Sequence, residues 1–107
     1  MPTVYYLQWD VDDYGEANER FHQYHFDPPE SLAFSDFEQL YREVAEVDTY
    51  ELEELYAEWN RGSGRESDTF LKQGVRSMSV GDIVEQEDDY YLCCSVGWDE
   101  IEIQPDG

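Results

Sequence analysis

The apolar positions of this chain alternate between two periods. Over Thr3 to Trp9 (TVYYLQW) β-branched and aromatic residues run almost unbroken, which predicts a strand. Val4, Tyr6 and Gln8 share one face and Tyr5, Leu7 and Trp9 the other. Both faces are mostly apolar, as expected of a strand buried within a sheet. Asp82 to Gln86 reads as a second strand, Glu87 to Asp89 as a turn, and Tyr90 to Val96 as the returning strand. Gly97 breaks that pattern, and Glu100 to Gln104 forms a short last strand.

The helical period is clearest at Leu52, Leu55, Tyr56 and Trp59, with Glu51, Glu53, Glu54 and Glu58 covering the other positions. Asp48 or Thr49 is placed to cap this helix, and Asn60 to Gly64 to end it. Ser35 followed by Glu38 has the form of a capping box. Phe37, Leu40, Tyr41 and Val44 then follow at helical spacing, yet Tyr41 to Val47 (YREVAEV) reads equally well as a strand. Arg20 to Phe26 (RFHQYHF) predicts a short element with Phe21, Tyr24 and Phe26 inward, stopped by Pro28-Pro29. Asp10 to Gly15 reads as a turn, and Arg61 to Gly74 as a flexible connector. Together these elements predict one α+β domain over residues 1–107. Its largely antiparallel sheet has three to five strands, with two or three helices packed on one face.

Charge adds a solvent regime. Twenty-seven acids face six bases, giving a net charge of −21, and Lys72 is the single lysine. The Debye length falls from about 8 Å at physiological ionic strength to about 3 Å at 1 M. A fold with this self-repulsion therefore suits a cytoplasm rich in K+ salts, as in a halophile. Hydrophobic content of 40%, with nine Tyr, five Phe and three Trp, argues against disorder. The chain has no basic cluster, so direct binding of nucleic acid is not expected. An acidic domain of this kind has an alternative use as a DNA-mimic decoy for a DNA-binding protein. No apolar run reaches the ~20 residues of a membrane helix, and no basic segment precedes the first apolar stretch as in a secretory signal. The expected location is cytoplasmic, without membrane contact and with reduced thiols.

No motif specifies a reaction. Ser77 and Ser79 lie in "RSMSVGD", which lacks the G-x-S-x-G of a nucleophile elbow; turn chemistry explains both hydroxyls. His22 and His25, three apart with Asp27 close behind, are weak metal ligands, and a small metal-dependent enzyme is the third reading. Cys93 and Cys94 point to opposite faces of a strand, which disfavours a bond between them and leaves both as core fillers. No cofactor is implied. Tyr5, Tyr6, Trp9, Trp59, Tyr90, Tyr91 and Trp98 exceed the aromatic mass of one small core, and point to an exposed patch for a protein partner.

The segments "LEELYAEWN", "GVRSMSVGDIV" and "YYLCCSVGW" resemble the YodL-like domains, small uncharacterised domains associated with bacterial plasmids and other mobile elements. Trp59-Asn60, Ser77, Ser79, Val80, Asp82, Gly97 and Trp98 match the family pattern. "VYYLQW" looks like its first strand, and "RFHQYHF" corresponds to its second block. Arg76 departs from it, standing where Gly or His is common. The resemblance implies a strand over Tyr41 to Val47 and supplies no catalytic residue. The aromatics and the Arg76 to Asp82 segment, taken with this pattern, give an expected interaction surface of Trp59, Asn60, Arg76, Ser77, Ser79, Asp82 and Trp98, whose protein partner is unknown.

Overall fold

The computed structural model describes residues 1–10 and 15–105. Its elements run β1 (Thr3–Leu7), α1 (Glu16–Tyr24), β2 (Ser31–Ala33), α2 (Phe34–Leu40) and β3 (Tyr41–Glu46), then α3 (Leu52–Glu58), α4 (Asp68–Gln73), β4 (Ile83–Gln86), β5 (Asp89–Cys93) and β6 (Trp98–Gln104). The strands form one sheet in the order β2-β6-β5-β4-β1-β3. All neighbours are antiparallel except β2 and β6, where Ser31 pairs with Glu102 in a parallel register. The fold is thus α+β, with a six-stranded mixed sheet in place of the expected three to five strands, and four helices among the described residues.

β1 sits inside the sheet, between β4 and β3. Its two apolar faces serve two separate cores. Leu7 joins Tyr24, Leu32, Phe37, Leu40, Ile83, Leu92 and Ile101 beneath α1 and α2. Val4 and Tyr6 join Val47, Leu55, Trp59, Phe70, Met78 and Val84 beneath α3 and α4. The helices therefore cover both faces of the sheet, which corrects the expectation of one. The reason is the pattern in β1 and β4, where consecutive residues such as Ile83 and Val84 are both fully buried, so both faces need cover.

Several local expectations change with tertiary context. The helix of residues 34–40 ends at Leu40, and Tyr41 enters β3 opposite Leu7. Phe37, Leu40 and Tyr41 still reach one core, so the helical spacing crosses a change of backbone. Ser35 lies inside α2, whose N-cap is Ala33, so Ser35 is not the cap of this helix. The N-cap of α3 is Glu51, and Thr49 Oγ1 donates instead to Glu58 Oε1 at 2.7 Å. Glu53 and Glu54 in its first turn complement the helix dipole. Phe26 is 91% exposed because it lies two residues past Tyr24, where α1 ends, and the chain there turns away from the core.

The supposed connector over 61–74 contains α4. Its Ser67 Oγ accepts from Phe70 N, Gly74 closes it in the left-handed conformation, and Phe70 is fully buried. β1 stops at Leu7, and Gln8–Asp10 form a 3-10 turn. The turn expected at 10–15 lies mostly outside the described residues. β5 ends at Cys93, short of the expected Val96, and Glu87 and Asp88 make its hairpin turn with β4, both at positive φ. Among the described residues no helix is long and apolar enough to cross a membrane.

Candidate functional site

The segment from Arg76 to Asp82 joins α4 to β4, and its two charged ends form a buried clasp. Asp82 is fully buried, and its carboxylate accepts four hydrogen bonds. Oδ1 accepts from Leu7 N and Arg76 Nη2, both at 2.9 Å, and Oδ2 from Arg76 Nη1 and Ser79 N, both at 2.8 Å. Arg76 Nη2 also donates to Leu7 O at 2.8 Å, and Nη1 to Ser77 O at 3.0 Å. The guanidinium carbon lies 4.2 Å from the Tyr6 ring centre and 5.0 Å from that of Trp9. Tyr6 Oη closes the circle by donating to Arg76 O at 2.9 Å.

Burial pushes the Asp82 carboxyl above its ordinary pKa, further than the Arg76 contacts and the two amides pull it down. Burial also works against the Arg76 charge, but the bonds and attraction from Asp82 outweigh it and hold its pKa up. This pair fixes the end of β1 to the turn before β4. Four bonds occupy its carboxylate, and with them Asp82 acts as a structural clasp. Gly81 belongs to the same turn at φ +96°, where a Cβ would stand 2.8 Å from Leu7 Cδ2, so only glycine fits.

The other expected surface residues near this turn are also structural. Trp59 is fully buried, edge-on to Tyr6 and tilted against Phe70. Asn60 Nδ2 donates to Tyr56 O at the end of α3, and Ser77 Oγ accepts from Arg61 N. Ser79 Oγ is buried without a protein partner. Ser79→Ala should therefore change stability by less than about 0.5 kcal/mol, or raise it, because no bond is lost. Chemical denaturation measures this, and a loss above about 1.5 kcal/mol would contradict the assignment.

Trp98 has a different setting. Paired residues place Val84, Tyr91 and Glu100 on the sheet face that carries α3 and α4, with Cys93 and Trp98 beside them. α3 and α4 bury the β1 and β4 part of this face, and Trp98 packs against that core with one side only. The rest of β5 and β6 is left open beside α3. Two clefts of about 290 and 460 Å³ lie there, and both are lined by Glu53 and Trp98. Tyr56, Cys93 and Cys94 also line the smaller, and Tyr50, Glu51 and Tyr91 the larger. The clefts thus abut as one aromatic groove, with Tyr50 49% and Tyr56 39% exposed. Comparison with protein-family models, curated proteins and solved structures finds no match for this chain.

The surroundings in the groove disfavour the thiolate form of both cysteines. Burial, reinforced by Asp82, pushes Cys93 up to about 12. Burial and the Asp99 carboxylate push Cys94 up to about 11. Both cysteines are free. The histidines lie elsewhere: His22 is exposed on α1 and His25 caps its end, with Nδ1 2.8 Å from Phe21 O. Among the described residues no group of three or more His, Cys, Asp or Glu is arranged to hold a metal, so His22, His25 and Asp27 do not assemble one.

Sequence reasoning placed Trp98 and Tyr91 on a contact surface but missed Tyr50, Glu53 and Tyr56. Tyr56 falls on the apolar stripe of α3, and nothing in the spacing reveals that the sheet beneath it is uncovered. Of the seven aromatics singled out for a patch, Tyr6 and Trp59 are core, and the other five are partly buried.

Proposed function

We propose that this chain is a non-enzymatic protein-interaction domain of YodL-like type. It works in a K+-rich halophilic cytoplasm and docks its partner in the groove between α3 and the open half of the sheet. The observation that carries this reading is the half-covered Trp98. Its inner side is packed in a core, so the indole is held in place, and its outer side lines both clefts. A rigid, partly exposed aromatic in a concave site binds at low entropic cost, as interface anchors do.

Saturation of the Arg76–Asp82 clasp and the raised thiol pKa values support a binding role over a catalytic one. The YodL-like resemblance supports the same reading from its motif, in which Trp59 and Asp82 would shape the frame and Gly97-Trp98 the contact. It also suggests a gene carried on a mobile element.

Tagged protein used as bait in a host lysate at about 3 M KCl should retain a partner that Trp98→Ser and Tyr56→Ser each release by about tenfold or more. Circular dichroism of both variants checks that they remain folded. An unchanged set of captured proteins with two folded groove variants would overturn the proposal.

A further inference from the structure

The groove has a chemistry of its own. The residues lining its two clefts include one tryptophan, three tyrosines and the carboxylates of Glu51 and Glu53, with no lysine or arginine among them. The other sheet-face residue opposite Tyr91 is Glu100. Partial desolvation, then the carboxylates of Asp89, Glu100 and Glu87, raise the Tyr91 hydroxyl above its ordinary pKa, so the local field at the floor is negative. Electron-rich ring faces beside carboxylates complement a cation that carries apolar surface.

Salt decides which cation. At molar ionic strength the Debye length is about 3 Å, and attraction between exposed charges at longer range is largely lost. Ring-face contact and a hydrogen-bonded ion pair act at van der Waals distance and survive. A guanidinium is planar and weakly hydrated, stacks on aromatic faces, and meets a carboxylate through two parallel N–H bonds. An ammonium is compact and strongly hydrated, and gains less from such a wall. The chain already shows the favoured geometry elsewhere, where Arg76 sits over Tyr6 and Trp9 while paired with Asp82.

From this charge complementarity we infer that the groove's occupant is an arginine-bearing segment of the partner protein. One arginine side chain stacks on Trp98 and bonds to Glu53. The inference rests on the interaction reading above and adds the partner's chemistry.

The probe is the peptide acetyl-Gly-Arg-Gly-Arg-Gly-amide, titrated into the 107-residue protein in 2 M KCl and followed by heteronuclear NMR. Trp98→Phe assigns the Trp98 indole signal. The arginine peptide should shift the Trp98 indole N–H and the Tyr91 amide. Its citrulline counterpart, equal in shape but uncharged, should bind about tenfold more weakly. The lysine counterpart should also be weaker, and Glu53→Gln should weaken the arginine peptide while leaving the rest of the spectrum in place. Equal binding of the citrulline or lysine peptide, or shifts that spare Trp98, would overturn the arginine inference. Dependence of partner capture on Trp98 would survive that result and keep the interaction reading. Capture indifferent to Trp98 would remove the interaction reading itself, whatever the peptides do.

Discussion

Arg76→Met should destabilise the protein by about 3–5 kcal/mol, a large part of the stability of a domain this size. The substitution keeps an unbranched side chain over Tyr6 and Trp9 but strands the Asp82 carboxylate, which has no exposure to water. Arg76→Lys should lose less, since it keeps the charge but not the paired bonds to Asp82 or the bonds to Leu7 O and Ser77 O. Replacing both partners by Met and Leu should not restore wild-type stability, because the amides of Leu7 and Ser79 would then be buried without their acceptor. That separates this pair from ion pairs that apolar residues replace at no loss.

The pH dependence has a definite sign. A carboxyl whose pKa in the folded state exceeds its unfolded value stabilises when protonated, and that contribution fades as pH rises through the folded pKa. Asp82 is already raised by burial, and losing Arg76 raises it further. The deficit of Arg76→Met relative to wild type should therefore be greatest near pH 8 and shrink toward pH 5. Urea denaturation across that range measures it, and a deficit below about 1 kcal/mol at pH 8 would refute the clasp.

The second large effect concerns salt. With a net charge of −21, the melting temperature should rise by about 10–20 °C between 0.1 and 3 M KCl, corresponding to roughly 2–3 kcal/mol for a domain of this length. Only four of the described cations, Arg20, Arg65, Arg76 and Arg61, engage an acid, an aromatic ring or a carbonyl by side chain, so the carboxylates are overwhelmingly without bases to offset them. Circular dichroism melts at several KCl concentrations provide the measurement. A melting temperature that is flat or falls with salt would sink the halophilic reading.

The elements legible in the sequence are those whose signal is local. The strand at β1, the β4–β5 hairpin and the apolar stripe of α3 each declare themselves within a few residues. α4 is hidden because only Phe70 among its six residues is buried, leaving no stripe to detect. Phe26 misleads because hydrophobicity does not say where a helix ends. Ser35 is not the cap because β2 hands the chain to α2 two residues earlier, at Ala33. The clasp itself joins positions 69 and 75 residues apart at Leu7, a relation that no spacing rule contains. The groove was invisible for a related reason: it exists where two helices stop short of covering a sheet.

The place of β1 in the sheet also governs how the chain is made. Its neighbours are β3, roughly forty residues later, and β4, roughly eighty residues later, so the middle of the sheet waits for nearly the whole chain. At a synthesis rate of about 5–20 residues per second, the aromatic N-terminal strand spends seconds outside the ribosome before β4 emerges. During that interval β1 can pair with β3, but its other edge, along Thr3 to Tyr5, waits for β4. β1 is thus made roughly eighty residues ahead of one of its two partners, and β2 roughly seventy ahead of β6, its single neighbour, so aggregation and chaperones compete with the sheet until its late strands arrive.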